Sequence, residues 1–168
     1  MKIIDLDRCY SKSYLPVEGS SAKLVLYNVH LSAYTSDGSI ADRQLEQLTD
    51  DMTGEYNAGN YVICGGDFNK DLLGDSSKYF GVSGEEFSWA KPIKTEVFDG
   101  KPLRLICSSN APSNRNADAP VNPKQFINVL DGFIVSDNVD VSSNTNLDIG
   151  FRYSDHNPVT MEFTLLPK

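Results

Sequence analysis

Gly65-Gly66-Asp67-Phe68-Asn69 is the stretch that decides the fold of this sequence, and it follows the apolar run Tyr61-Val62-Ile63-Cys64. The apolar run predicts a buried strand of a covered sheet. The two glycines allow a neighbouring backbone to approach closely, and they present the Asp67 carboxylate from the end of the strand. In an extended chain, Asn69 points to the same side as Asp67. We therefore expect Asp67 to accept a proton from water while the Asn69 amide donates to an oxyanion.

The segment before this stretch predicts a strand and then a helix. Lys23 to Leu31 carries apolar side chains on both faces, as in a covered strand. The turn Thr35-Ser36-Asp37-Gly38 precedes the helix, with Ser39 as N-cap and Asp42 three residues later. One helical face is apolar, through Ala41, Leu45, Leu48 and Met52.

The segment after the stretch predicts further strands and a loop. Glu96-Val97-Phe98 and Leu103 to Cys107 indicate a hairpin around Asp99-Gly100. Ser108 to Asn122 is rich in Ser, Asn, Ala and Pro and predicts a long loop, a kind of connection that is often functional. Phe126 to Val135 predicts a strand that is apolar on both faces. Strands interleaved with a helix indicate one layered domain of the α/β or α+β class.

Polar residues stand in unexpected places at several of these strand ends. Asp131 lies inside an apolar strand, where a buried carboxylate requires a partner. His156 is the expected partner, because an Asp fixes the tautomer of a His and favours the imidazolium, which can donate to a phosphoryl oxygen. Asp155 offers oxygen ligands for a hard cation such as Mg²⁺. Each of these residues, like His30 at its strand end, has an ordinary structural interpretation when taken alone; together they indicate a site.

Composition excludes several classes of protein. The chain has 15 Lys and Arg against 23 Asp and Glu, a net charge of −8, so a long basic groove for nucleic acid is not evident. Phosphate chemistry is compatible with this charge, because a metal ion held by carboxylates supplies a positive field. Cys9, Cys64 and Cys107 form no C-x-x-C pair, which indicates free thiols. The sequence contains no apolar run of about 18 residues, the length expected of a membrane span.

Five segments together resemble the endonuclease/exonuclease/phosphatase superfamily, which includes DNase I-like nucleases, abasic-site endonucleases, sphingomyelinases and inositol polyphosphate 5-phosphatases. The resemblance implies a four-layer α/β/β/α sandwich of the DNase I type. The matching segments keep the family's order from about residue 24 to the C-terminus: Asn28-Val29-His30-Leu31, Arg43-Gln44-Leu45, Gly65-Gly66-Asp67-Phe68-Asn69, Leu130-Asp131-Gly132-Phe133-Ile134-Val135-Ser136 and Ser154-Asp155-His156-Asn157-Pro158-Val159.

The resemblance implies catalytic roles for five residues. His156 would contact the phosphate, with Asp131 as its orienting partner. Asp67 would activate or position the attacking water, and Asn69 would bind a phosphoryl oxygen. His30 would be a second histidine near the scissile phosphate. These roles suit hydrolysis of a phosphoester by in-line attack of water.

The resemblance also implies a divalent metal, Mg²⁺ or else Mn²⁺ or Ca²⁺, with Asp155 and Asp67 at its site. Arg43 would tie its helix to the sheet. The implied substrates are phosphoesters, either nucleic acid, a phosphoinositide or a phospholipid headgroup. The acidic balance argues mildly against tight nonspecific DNA binding. The loop Ser108 to Pro123, with Arg115 and Lys124 near it, is the candidate substrate-facing segment.

The sequence departs from the family in its first half. A complete domain of the family resembles two related halves and spans roughly 250 residues. Its first half supplies an Asn and a Glu that is the principal metal ligand, but Glu18, Glu46 and Glu55 all lie in other contexts. We therefore expect residues 1–168 to be one partial domain, the C-terminal half to two thirds of the sandwich. We also expect such a domain to bind metal weakly, to hydrolyse phosphoesters poorly and to self-associate through its exposed sheet face.

Two other functions remain open at this point. The chain can be a non-catalytic interaction module that keeps the fold without the chemistry. It can also be an acyl hydrolase that uses Ser154 as nucleophile, but the sequence has no G-x-S-x-G motif. Replacing Ser154 by Ala discriminates between the acyl hydrolase and the phosphoesterase.

Overall fold

A five-stranded mixed sheet forms the centre of the computed structural model, which describes residues 10–33, 37–81, 90–117 and 120–167. Its strands, numbered in chain order, are β1 (Tyr10–Pro16), β2 (Lys23–His30), β3 (Tyr61–Asp67), β4 (Leu103–Ile106) and β7 (Asp131–Ser136). They lie in the order β1-β2-β3-β7-β4. β2 and β3 run parallel, while the other neighbouring pairs run antiparallel.

Two ribbons, one long helix and two short helices accompany this sheet in the described residues. β5 (Asn114–Arg115) pairs with β6 (Ile127–Asn128), and β8 (Val139–Asn146) pairs with β9 (Val159–Leu165). The helices are α1 (Ser39–Asn57), α2 (Ser77–Phe80) and a 3₁₀ helix at Thr95–Phe98. Within the described ranges, no helix has both the length and the apolar character needed to cross a membrane.

α1 covers one face of the central sheet. Its residues Leu45, Leu48 and Met52 are at most 1% exposed, and they belong to the same buried cluster as Val25 and Tyr27 of β2. This arrangement confirms the apolar helical face predicted from the spacing, because residues three and four apart lie on one side of a helix.

The start of α1 differs from the prediction. Gly38, not Ser39, is the N-cap, and no side chain caps the helix. Gly38 has φ 70°, a left-handed conformation that glycine adopts without steric cost. Ser39 is already helical, so its hydroxyl is not in the cap position. Thr35 and Ser36 of the predicted turn lie outside the described residues.

The β8–β9 ribbon packs on the other face of the sheet. Tyr61 and Ile63 of β3, with Val135 of β7 and Val139 of β8, form a second buried cluster, and β9 contributes Met161 to its edge. The fold therefore stacks a helix, a five-stranded sheet and a two-stranded ribbon in three layers. This mixed arrangement confirms the predicted α+β class.

The predicted hairpin around Asp99-Gly100 is wrong in its first arm. Residues Thr95–Phe98 form a 3₁₀ helix, and the amides of Asp99 and Lys101 donate to the carbonyls of Glu96 and Phe98. These local bonds satisfy the backbone without a partner strand. The second arm is the strand β4, but it pairs with β7 instead.

The predicted strand Phe126 to Val135 is divided into two. β6 and β7 belong to different sheets, and Val129 and Leu130 between them are fully buried. Their carbonyls accept from the amides of Leu72 and Phe68, which lie after β3. An apolar run can thus change partners midway, because burial alone does not specify which backbone it pairs with.

The cysteines that the structure describes are free thiols, as predicted. Cys64 is buried, and burial raises the pKa of its thiol. Cys107 is partly buried, and its Sγ lies 3.6 Å from the Leu72 carbonyl oxygen. Cys9 lies outside the described residues.

Gly66 marks a close approach between β3 and β2. Its φ is 147°, and a Cβ at this position would overlap the Val29 carbonyl oxygen. We expect Gly66→Ala to lower the free energy of unfolding by about 3 kcal/mol, measured by urea denaturation. The matched control is Gly54→Ala, on the exposed side of α1 with nothing within 4 Å of the new Cβ. That change should raise the free energy of unfolding by roughly 0.5–1 kcal/mol, so equal effects of the two would contradict the prediction.

Candidate functional site

Three polar residues stand in a row across β2, β3 and β7. His30 is the register partner of Asp67 in the parallel pair, and Asp67 is the register partner of Asp131 in the antiparallel pair. β2 and β3 end at the same edge of the sheet, and β7 begins there. The structure therefore brings together three of the predicted site residues by strand pairing alone.

His156 lies between the two carboxylates. Its Nδ1 is 2.8 Å from Oδ2 of Asp131, and its Nε2 is 3.8 Å from Oδ2 of Asp67. The side chain of His156 is 30% exposed, so solvent reaches the ring. Carboxylates opposite each other on neighbouring strands repel, and an imidazolium between them offsets that repulsion.

His30 approaches the same carboxylate from the other side. Its Nε2 lies 3.4 Å from Oδ2 of Asp67, and its side chain is 52% exposed. Asp67 therefore has an imidazole ring on either side. Both rings are accessible from solvent.

Ser113 and Asn114 are site residues that sequence reasoning missed. Ser113 Oγ donates to Oδ2 of Asp131 at 2.7 Å and accepts from the amides of Leu130 and Asp131 at 3.0 Å. The side-chain nitrogen of Asn114 lies 3.0 Å from Nε2 of His156. The polar composition of the loop Ser108 to Asn122 indicated a functional segment. It did not indicate these two residues, because their role depends on β5 pairing beside the site.

The pKa of His156 is raised above its ordinary value. Burial of the ring lowers this pKa, but the hydrogen bond and negative charge of Asp131 raise it, and the charges of Asp67 and Asp155 add to that effect. The raising effects outweigh burial. The imidazolium form is therefore more favoured than in a free histidine; because it donates from both nitrogens, it requires the Asn114 amide to present its oxygen, not its nitrogen, to Nε2 of His156.

Asn69 has a different geometry from the one predicted. Its φ is 48°, so the chain is not extended after β3. Its backbone N–H donates to Oδ1 of Asp67 at 2.8 Å, and its Nδ2 donates to the Leu31 carbonyl at 2.7 Å. The expectation that Asn69 shares a side with Asp67 by strand alternation was wrong, because the left-handed residue turns the chain. Its role at an oxyanion stays a prediction, now restricted to the second hydrogen of the amide.

A buried ion pair anchors the chain just beyond Asn69. The Lys70 side chain is 2% exposed, and its Nζ pairs with Asp42 of α1 and donates to the Gly38 carbonyl at 3.0 Å. Lys94 pairs with the other oxygen of Asp42 at 2.6 Å. A buried lysine requires such partners, so α1 and the end of β3 are held at a set distance.

Arg43, which was expected to tie α1 to the sheet, is exposed. The neighbouring residue Gln44 makes one such link: its Oε1 accepts from the Ser32 amide at 2.8 Å, and its Nε2 donates to Ser32 Oγ at 3.0 Å. Together with Asp42, Gln44 ties α1 to the strand ends where the site lies.

Asp155 lies beside the site, and its backbone carbonyl accepts two hydrogen bonds. Its carbonyl accepts from the backbone amide of Arg115 at 2.9 Å and from the Asn114 side chain at 3.3 Å, and Ser154 Oγ donates to its carboxylate at 3.3 Å. The guanidinium of Arg115 donates to the Asn116 carbonyl at 2.8 Å, while Lys124 is exposed.

The donor set for a metal is incomplete in the described part of the chain. Asp67 and Asp155 supply carboxylate oxygens, the ligand type that Mg²⁺, Mn²⁺ and Ca²⁺ accept. Mg²⁺ requires six oxygens in octahedral geometry. Within residues 10–33, 37–81, 90–117 and 120–167, no group of three or more His, Cys, Asp or Glu side chains is placed to hold a metal ion.

Comparison with known proteins shows the fold. No protein-family model matches the chain, and no curated protein matches it. Among solved structures, an endonuclease/exonuclease/phosphatase from Beutenbergia cavernae matches 96% of this chain with 16% identity and a TM-score of 0.65, over 40% of its own length. This chain therefore has the DNase I-like fold of endonuclease/exonuclease/phosphatase proteins.

Two further structures give the same result. A mannosyl-6-phosphatase from Bacteroides thetaiotaomicron matches 94% of this chain with 15% identity and a TM-score of 0.59, over 57% of its own length. TDP2 from D. rerio, complexed with a single-strand DNA product, matches 94% with 15% identity and a TM-score of 0.61, over 62% of its own length. The chain thus spans about half the length of the proteins whose fold it shares.

The pKa of His156 provides a direct test of the site's electrostatics. We expect Asp131→Asn to lower it, because the charge and hydrogen bond that oppose burial are lost; an NMR titration of the ring measures it. The folded pKa of His156 is raised, so its stabilising contribution is complete below about pH 6.5 and disappears as pH rises through the folded pKa. The unfolding free energies of wild type and variant should therefore converge as pH rises. Asp140→Asn, at an exposed position of β8, is the control and should leave the pKa of His156 unchanged. An unchanged His156 pKa in Asp131→Asn would contradict the prediction.

Proposed function

We propose that this chain carries the water-activating part of a phosphoester hydrolase site that depends on a divalent metal. The observation that supports this function is the placement of His156, 2.8 Å from Asp131 and 3.8 Å from Asp67. An imidazolium held in this way can donate to a phosphoryl oxygen, and a carboxylate next to it can accept a proton from water.

Each residue has a definite part in this proposal. Asp67 positions the attacking water and accepts its proton, while Asp131 keeps the His156 ring oriented. His30 and the second amide hydrogen of Asn69 donate to the other phosphoryl oxygens. When bound, Mg²⁺, or Mn²⁺ or Ca²⁺ in its place, supplies positive charge that offsets the charge of the phosphate, and Asp67 and Asp155 are the candidate ligands.

The solved structures of this fold support a phosphoester substrate. One is a mannosyl-6-phosphatase and another holds a single-strand DNA product, so the fold serves both sugar phosphates and nucleic acid. Nucleic acid, a phosphoinositide or a phospholipid headgroup all present the phosphoester that the proposed site requires.

A non-catalytic interaction module is the second candidate. The incomplete donor set in the described residues favours it. We propose that the chain is one partial domain, with metal binding and turnover weaker than those of a complete site.

Hydrolysis of bis(p-nitrophenyl) phosphate with excess Mg²⁺ tests the proposal. We expect slow hydrolysis by the 168-residue chain, and His156→Gln should reduce its rate by about 10²–10³-fold, because a neutral amide replaces the charged donor to the phosphoryl oxygen. Ser154→Ala is the matched control in the same turn and should retain most of the rate.

The other outcomes are equally decisive. A rate abolished in Ser154→Ala but kept in His156→Gln would contradict the phosphoesterase and favour a serine nucleophile. A wild-type rate equal to that of His156→Gln would favour the interaction module. Hydrolysis that continues undiminished after EDTA treatment would contradict the dependence on a divalent metal.

We also propose that two copies of this chain associate through the ribbon side of the sheet. Leu24 and Leu26 of β2 are only half-buried there, and Leu15, the register partner of Leu24, is 41% exposed. Phe163 of β9, which alternates onto the same side as Met161, is 38% exposed. An apolar surface of this kind is typical of an interface.

Sedimentation equilibrium at tens of micromolar tests the association. We expect a dimer, and Phe163→Asp should shift the population toward monomer because a charge at the interface must be desolvated. Tyr79→Asp is the control, since Tyr79 is 56% exposed on α2, away from the ribbon. A monodisperse monomer in the wild-type chain would contradict the proposal.

A further inference from the structure

An exposed aromatic side chain lies next to the candidate site. Tyr153 is 79% exposed, and it precedes His156 by three residues. Three residues span at most about 11 Å, so the backbone of Tyr153 lies within that distance of His156. Leu147 and Ile149 of the same segment, which connects β8 to His156, are 42% and 44% exposed. A single exposed aromatic is ordinary on a surface, but here the segment leads directly into the site.

The segment that carries Tyr153 is held in place from within. Oδ1 of Asn157 accepts from the amides of Phe151 at 3.2 Å and Ile149 at 3.4 Å, and its Nδ2 donates to the Pro112 carbonyl at 3.0 Å. Asn157 is only 2% exposed, and its own amide donates to the Ser113 carbonyl at 2.7 Å. Ser113 also binds Asp131, so the segment and the site share one anchor.

Phe151 shows that the anchor imposes a conformation. Its φ is 53°, a left-handed value that a residue with a bulky side chain rarely adopts. Such backbone persists only when its surroundings hold it, and such residues cluster at active sites, ligand clamps and switch regions. The strained residue, Phe151, lies two residues before Tyr153, and its backbone amide donates to Oδ1 of Asn157. A pre-ordered loop loses less entropy when a ligand binds.

Arg152 lies over the Tyr153 ring. Its guanidinium carbon lies 5.1 Å from the ring centroid, within the range of a cation–π contact. The contact covers one face of the ring, and the high exposure of the side chain leaves the rest accessible. Arg152 also places a positive charge next to the site in a chain of net charge −8.

We propose that Tyr153 stacks on the base of a nucleotide whose phosphate lies at His156. The inference rests on the proposed function, since it needs a phosphate there. A flat ring with a guanidinium over one face and with most of its surface exposed offers its other face to another flat π-system, which a nucleobase has and an inositol or a glycerol headgroup lacks. Base–aromatic stacking of this kind corresponds to about a 5- to 150-fold gain in affinity.

Calorimetric titration of the full chain, with Mg²⁺ present, tests the inference. AMP and ribose 5-phosphate carry the same phosphate, and they differ by the base. We expect AMP to bind about 5- to 150-fold more tightly than ribose 5-phosphate. Tyr153→Ala should bring AMP to the affinity of ribose 5-phosphate, and Tyr153→Phe should keep the difference.

Tyr14→Ala is the matched control. Tyr14 is 53% exposed on β1, and its register partner Val25 lies five residues from His30 along β2, about 16 Å away. That variant should leave both affinities unchanged. Single-stranded hexadeoxyadenylate distinguishes the two sources of a base: tighter binding than AMP indicates a strand, and equal binding indicates a free nucleotide.

The outcomes separate this inference from the function beneath it. Equal affinity for AMP and ribose 5-phosphate, both lost in His156→Gln, would overturn the stacking role and leave the phosphate site standing. An AMP preference that survives Tyr153→Ala would also overturn it. Failure of both ligands to bind would overturn the phosphate site and the inference together.

Discussion

Oδ2 of Asp131 accepts hydrogen bonds from Ser113 Oγ at 2.7 Å and from Nδ1 of His156 at 2.8 Å. These two bonds join three segments that are distant in the chain: the loop before β5, the start of β7 and the turn before β9. Because the carboxylate is partly buried, it needs both donors, and each donor takes its position from it. The orientation of the imidazole and the raised pKa of His156 both follow from this contact.

The strand register supplies the second constraint. His30, Asp67 and Asp131 come into one row because β2, β3 and β7 are neighbours in the sheet. β2 and β3 can lie this close together only because residue 66 is a glycine. The Phe133 ring lies against Gly65 in the same way, 3.0 Å from where a Cβ would stand. The two glycines of the stretch 65–69 therefore act in packing, and the carboxylate that follows them takes its place from that packing.

The electrostatics of the site fit a cationic centre in an acidic chain. Asp67, Asp131 and Asp155 together raise the pKa of His156, so they favour a positive charge on a ring that solvent can reach. A phosphate dianion would meet a field in which carboxylates outnumber cations. The proposed divalent metal addresses that imbalance, and Arg152 adds a further positive charge at the margin of the site.

The sequence by itself determined the class of the fold, the buried strand before Gly65 and the apolar face of α1, and it pointed to His30, Asp67, Asp131 and His156 as polar residues of one site. The first three features follow from local periodicity, and the last from polar residues at strand ends and the high cost of burying Asp131 without a partner. It did not determine that Thr95–Phe98 is helical, that residues 126–135 divide between two sheets, or that Asn69 turns back toward Leu31. Ser113 and Asn114 likewise have no distinguishing pattern within their polar loop. The tertiary structure decided these features, because each depends on which distant backbone or side chain satisfies a hydrogen bond, and a local pattern contains no information about a partner far away in the chain.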